Sequence, residues 1–289
     1  MALSVADRML RCGVAVWSRR WSSSHIEGAV QENEYERSMA VQLRGLVKRF
    51  DSVTAVAGVD LDVRRGCFFG LVGPNGAGKT TTLAMVTGLL RPDAGSARVD
   101  GIDVWEKPLP ARERMGVLPE GLRLFERLSG RELLHFTGRL RGMPTDEVDQ
   151  RAGELLRVLG LDGAGDQLVV DYSTGMRKKV ALAAALLHNP GVLFLDEPFE
   201  AVDPVSARTI REVLRAFTGR GGTVVFSSHV MDLVERICDD VAVMAGGRVL
   251  AAGPVDELRA GRPLEEVFVE LVGGGVVSGE SGLDWLGTH

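Results

Sequence analysis

The sequence predicts an α/β fold: a mainly parallel sheet at its core, an antiparallel β-subdomain and an inserted helical subdomain. Three observations carry this expectation. Short apolar runs at 68–72, 192–195 and 223–227 have the length of buried strands. They alternate with segments of helical periodicity, the arrangement that crossover connections impose on parallel strands. A mostly helical stretch from about 115 to 170 interrupts the alternation and reads as the insertion.

The elements follow in order. Val59, Leu61 and Val63 alternate with Asp60 and Asp62, the period of a half-buried antiparallel strand. The run Phe68 to Val72 enters a glycine-rich loop, and a helix is expected from near Lys79. Val148, Ala152, Leu155, Leu156 and Leu159 make one apolar helical face, with Thr145 as its expected N-cap after Pro144. A further helix over 175–188 ends at Asn189-Pro190, and a strand over 192–195 follows. Ile210, Val213, Leu214 and Phe217 repeat at helical spacing before the strand 223–227, and Gly246-Gly247 between two apolar runs signals a hairpin.

The domain proper is expected over 39–272, with a Gly/Ser-rich tail over 273–289. Residues 1–38 are an extension of different composition. On a helical wheel Leu3, Leu10, Val14, Trp17 and Trp21 share one face while Arg8, Arg11 and Arg19 lie away from it. A basic amphipathic helix resting on an anionic membrane surface would look like this. A disordered leader, or a start at Met39, accounts for the same stretch.

Composition narrows the function classes. The chain is 45% hydrophobic and 25% charged, as globular domains are, and its net charge of −5 with no basic block argues against a nucleic-acid partner. Cys12, Cys67 and Cys238 form no CxxC or His/Cys cluster, which points to a reduced, intracellular chain without a cysteine metal site. No run approaches the roughly 20 apolar residues that span a bilayer. A role at a membrane would therefore be exercised from the aqueous side.

Chemistry concentrates in two places. Gly73-Pro74-Asn75-Gly76-Ala77-Gly78-Lys79-Thr80 fits G-x-x-x-x-G-K-[ST] between a buried strand and a helix, with Thr81 next in line. Glycines let backbone N–H groups turn inward around a phosphate, and the helix N-terminus favours the anion. Lys79 adds a point charge for the β- and γ-phosphates, and the Thr80 hydroxyl can ligate Mg²⁺. The second place is a strand ending in Asp196-Glu197. Asp196 is placed to hold Mg²⁺, and Glu197 to polarise the attacking water. Either element alone fits an ordinary turn; together they describe the nucleotide and Mg²⁺ site of a P-loop NTPase.

The text between and after these elements resembles the ABC transporter ATPase family over about 41–272. Tyr172-Ser173-Thr174-Gly175-Met176 stands where the family signature, commonly LSGGQ, precedes the second carboxylate strand. The resemblance implies that Ser173 and Gly175 close over ATP bound by another subunit; in isolation Ser173 is also a good helix N-cap. Gly116-Val117-Leu118-Pro119-Glu120 resembles the loop usually ending in Gln, which puts Glu120 near the γ-phosphate, Mg²⁺ and the membrane partner. Ala201-Val202-Asp203-Pro204 resembles the D-loop at the dimer interface, and Ser227-Ser228-His229 the strand end bearing the switch histidine. Phe50 stands where an aromatic stacks on adenine, or is a strand-end core residue.

Departures from the pattern (Glu120, Thr174, Met176 and Ala201-Val202) look like the branch serving ABC-2-type exporters. The resemblance implies ATP hydrolysis with Glu197, His229 and Lys79 as catalytic residues. It also implies a second ATP-binding subunit, most simply a homodimer, and an integral membrane permease reached peripherally from the cytoplasmic face. The rival readings are a nucleic-acid or ribosome-associated ABC ATPase and a regulatory GTPase. Fewer than a hundred residues separate Lys79 from Ser173, leaving no room for a long coiled coil, and only one phosphate-loop motif is present.

Overall fold

The computed structural model describes residues 37–121 and 123–272. The candidate amphipathic face from Leu3 to Trp21 and the Gly/Ser-rich tail lie outside the described residues.

Two sheets share the chain. The first has four antiparallel strands, β1 (Met39–Phe50), β2 (Val53–Arg64), β4 (Ala94–Val99) and β5 (Ile102–Asp103), in the order β2-β1-β4-β5. The second comprises β3 (Phe68–Val72), β6 (Met115–Leu118), β7 (Val192–Leu195), β8 (Thr223–Ser228), β9 (Asp240–Ala245) and β10 (Arg248–Pro254). Its order is β10-β9-β3-β8-β7-β6, parallel throughout except for β10, which returns along β9 through the Gly246-Gly247 turn.

Both faces of this sheet are covered, which is why its strands read as unbroken apolar runs rather than alternating ones. Along β7, Leu193 and Leu195 join the core on the helical side, while Val192 and Phe194 join the core beneath the antiparallel sheet. Val224 and Phe226 of β8 divide from Val225 in the same way. An Arg64–Asp240 pair, with Nε to Oδ2 at 2.8 Å and Nη2 to Oδ1 at 2.7 Å, ties the end of β2 to the start of β9. That bidentate geometry fixes the antiparallel sheet over the main one.

The helices are α1 (Lys79–Val86), α2 (Pro108–Glu113), α3 (Gly130–Leu140), α4 (Thr145–Val158), α5 (Thr174–Leu186), α6 (Pro204–Thr218), α7 (Met231–Ile237), α8 (Val255–Arg259) and α9 (Leu264–Val272). Local chemistry sets their starts. Ser129 and Glu132 close a capping box on α3, and Asp203 caps α6 just before Pro204 at its first position. Leu133, Leu134, Val148, Ala152 and Leu156 bury the facing sides of α3 and α4 in the helical-side core.

Two expectations need correction. Met115–Leu118, expected within the helical stretch, is an edge strand of the main sheet paired parallel with β7. Four residues are too few to show a period, and Gly116 packs so closely that a Cβ there would lie 2.2 Å from the Ala185 carbonyl oxygen. The helical segment proper therefore begins with α3. Thr145 is the first helical residue rather than the cap: Pro144 takes the extended cap conformation, and no side chain caps the helix. Asp146 and Glu147 in the first turn favour the helix dipole instead.

Candidate active site

Open parallel sheets place their reactive groups beyond the carboxyl ends of the strands. Here β3, β8, β7 and β6 are consecutive neighbours, so the segments leaving them must converge. The loop 73–78 leaves β3, His229 follows β8, Asp196 and Glu197 follow β7, and Glu120 follows β6 by two residues. Residues far apart in the chain thus meet at one end of one sheet.

The loop from Gly73 wraps back on its own helix. Gly78 has φ +100°, and a Cβ there would lie 2.5 Å from the Ala55 carbonyl oxygen. Only glycine fits that backbone against β2. Lys79 is buried, and its ammonium donates to the carbonyls of Gly73 at 2.8 Å and Pro74 at 3.2 Å. Burial lowers the Lys79 pKa, and the carboxylates of Glu197, Asp196 and Glu120 work against that shift. Three acids thus face the buried ammonium beside the loop.

Asp196 and Glu197 are both buried. Burial raises the Asp196 pKa, while hydrogen bonds from the Ser227 and Thr80 hydroxyls oppose the shift. Glu120 Oε2, 3.1 Å away, is the alternative acceptor for the single Thr80 hydroxyl proton. Glu197 Oε1 lies 3.1 Å from His229 Nδ1 and 3.9 Å from the Lys79 ammonium. Its N–H donates to Ser227 Oγ at 2.9 Å. The Glu197 backbone is left-handed at φ +45°, a conformation that costs a non-glycine residue about 1–3 kcal/mol. Phe199, two residues on, packs edge-on against Phe226 at 5.8 Å, which anchors the segment after Glu197 to the core.

A cavity of about 470 Å³ lies over the loop, lined by Val53, Thr54 and Ala55 of β2, residues 75–81, Glu120, Glu197, Glu200, His229, Gly246 and Gly247. A second of about 490 Å³ shares Thr80, Glu120 and Glu200 with it and continues between Leu83, Ala84, Leu89, Val117, Pro119 and Phe194.

The structure brings Asn75, Gly76, Ala77, Gly78, Lys79, Thr80, Thr81, Glu120, Glu197 and His229 to one cavity, with Asp196 beside it. It does not bring Ser173, Gly175 or Asp203 there. Ser173 is exposed and caps α5, accepting from the Met176 N–H at 3.3 Å. Gly175 packs against the start of α6, where a Cβ would sit 2.7 Å from both Asp203 Oδ2 and Ser206 Oγ. Hydrogen bonds from Ser206 hold the Asp203 carboxyl below its usual pKa.

Phe50 lines neither cavity. It pairs with Val53, which does line one, and its ring is 47% exposed with the Lys48 ammonium 5.7 Å from the centroid. Sequence reasoning missed Val53 to Ala55, Glu200 and Lys178, whose ammonium donates to the Glu197 carbonyl oxygen. An exposed strand start, a loop glutamate and a helical lysine carry no sequence signal of their own; Ser227 had been noted only as a neighbour of His229.

Comparison with known proteins agrees with this geometry. The ABC transporter family matches residues 56–200. DrrA, a daunorubicin/doxorubicin resistance ATP-binding protein of Streptomyces peucetius, is 41% identical over 221 residues, covering 76% of this chain and 67% of DrrA. LnrL, a linearmycin resistance ATP-binding protein of Bacillus subtilis, is 34% identical over 75% of this chain and 70% of its own length. The Nod factor export ATP-binding protein I of Ralstonia nicotianae is 38% identical over 75% and 68%. Among solved structures, an ATP-binding subunit of an ABC transporter superposes with a TM-score of 0.75 at 29% identity, covering 81% of this chain and 99% of that one. The phosphate loop, the carboxylate strand end and the histidine meet at one end of the sheet in a chain with these relatives; it belongs to the ABC transporter family, as an ATP-binding and ATP-hydrolysing member.

Proposed function

We propose that residues 39–272 form the ATP-driven engine of an exporter, in which two such subunits sandwich two nucleotides and act on a separate membrane permease. The observation that carries this reading is the placement of Ser173 and Asp203, exposed and outside the cavity of their own chain. A hydroxyl at a helix N-terminus suits phosphate, so Ser173, lying outside its own cradle, is suited to complete the cradle of a second copy, with Asp203 at the contact between the two. Export rather than import is favoured by the relatives named for drug resistance and Nod factor export. No helix among the described residues is long and apolar enough to cross a membrane, so the permease would be a separate partner met from the aqueous side.

In this reading the loop amides and Lys79 hold the phosphates, and Glu197 accepts the proton of the water that attacks the γ-phosphate. His229, with its Nδ1 proton on Glu197 Oε1, fixes the direction of that carboxylate. A magnesium ion fits the oxygen-only donors Thr80, Asp196 and Glu120. When bound, it would offset charge on the phosphate oxygens.

Size exclusion tests the sandwich. Glu197→Gln with ATP and magnesium is expected to elute as a dimer, and adding Ser173→Arg to return it to monomer. A monomer at saturating ATP for Glu197→Gln, alone and with its permease, would remove the reading.

The permease contact is placed on the segment after Glu120. Leu124 and Leu128 are partly buried against the helical-side core, whereas Phe125 is 57% exposed and packs edge-on against Phe136 at 4.9 Å. Leu122 lies outside the described residues. An exposed aromatic pair is suited to a helix from a partner. Phe125→Asp is expected to lower capture of the permease from solubilised membranes about tenfold or more, because docking would bury an unpaired charge. ATP affinity should remain within about twofold, since the phosphate loop is untouched; parallel loss of both would contradict this placement.

A further inference from the structure

The ammonium of Lys178, on α5, reaches the nucleotide end of the sheet, and the mechanism above does not use it. It donates to the backbone carbonyl of Glu197, nineteen residues away. A lysine on a helix surface ordinarily extends into water; Lys178 is only partly exposed, and its charge lies near Glu200, Glu197, Asp196 and Glu120. Burial lowers its pKa while those four carboxylates oppose the shift.

What it holds is an unusual piece of chain. The Glu197 carbonyl takes a second, longer hydrogen bond from the Glu200 N–H at 3.3 Å, and the Glu197 N–H is held by Ser227 at 2.9 Å. The peptide groups on both sides of Glu197 are therefore tied, and between them the backbone sits at φ +45°. Left-handed backbone at a glutamate persists only where its surroundings over-determine it. Among the described residues, Lys178 is the side chain that grips the carbonyl side.

We infer that Lys178 is a positioning residue for ATP hydrolysis, holding the Glu197 backbone so that the carboxylate stays directed at His229 and Lys79. Ser173 caps the same helix, so α5 links the group proposed to meet a second subunit's nucleotide with the carboxylate that serves this chain's own. That second role rests on the sandwich proposed above; the positioning role does not.

The test uses the full chain with Lys178→Met, which keeps the length and loses the charge, and Lys178→Arg, which keeps the charge. Steady-state ATP hydrolysis, binding of a fluorescent ATP analogue and the thermal midpoint are read for each. Lys178→Met is expected to lower kcat about tenfold with KM and analogue affinity within about twofold, the scale of effect seen when a supporting residue lets a reacting group drift. The midpoint should hold, and Lys178→Arg should restore kcat to within about threefold. Wild-type kcat in Lys178→Met overturns the inference. So does a joint fall of kcat, affinity and midpoint that Lys178→Arg fails to rescue, because that pattern marks a packing role. Dimerisation of Glu197→Gln on ATP is scored separately. Its failure removes the sandwich and the cross-subunit link whatever Lys178→Met does, while dimerisation beside an unchanged kcat removes Lys178 alone.

Discussion

Glu197→Gln is expected to slow ATP turnover by about 10²- to 10⁴-fold while ATP still binds within a few-fold of its normal affinity. The amide is nearly isosteric with the carboxylate, so the contacts of the Glu197 N–H with Ser227 and of its carbonyl with Lys178 are kept. What disappears is a base able to take a proton from water, and the acceptor that His229 Nδ1 meets at 3.1 Å becomes a neutral amide oxygen. Removing a negative charge 3.9 Å from Lys79 also leaves the site more positive, which favours bound phosphates. Single-turnover phosphate release measures the loss and equilibrium titration with a fluorescent analogue measures the binding. Release at the wild-type rate would show that another group activates the water.

Lys79→Ala acts on the other half of the problem. The Lys79 ammonium is buried, within reach of carbonyls that release it only to a better acceptor, and it faces Glu197, Asp196 and Glu120. Without it the triphosphate would meet carboxylates with no fixed cation between them. Loss of one charge-assisted contact in such a site is worth about 3 kcal/mol, so ATP affinity should fall by about 100-fold. The same titration reads it. Affinity within threefold of wild type would mean that the loop amides alone hold the phosphates.

How much of this could be read from the text depends on the range of the interaction. Phe68 to Val72 and Val192 to Leu195 announced themselves because a strand buried on both faces must be apolar at every position. The loop 73–80 was legible because close approach of backbone to phosphate admits few residues but glycine. Met115–Leu118 was not, since its strand character comes from pairing with β7, which lies far along the chain. Lys178 looked like any solvated helical lysine, and only the path of the chain through β7 brings the Glu197 carbonyl to it. Ser173 satisfied two descriptions at once, and in the structure it is an exposed N-cap, which leaves the second description to the proposal above. Phe50 shows a different limit: position in a motif order says which strand end a residue occupies, not where its ring points.

The backbone at Glu197 also places function and robustness in opposition. Glu197→Gly would relieve the left-handed strain and gain on the order of 1 kcal/mol from the backbone, at the expense of the carboxylate. Selection for thermal tolerance alone would therefore push this position toward a well-folded chain that binds ATP and cannot spend it. A library screened for heat resistance should be counter-screened for turnover before any change at 197 is kept, because under the mechanism proposed above the less strained sequence is the inactive one.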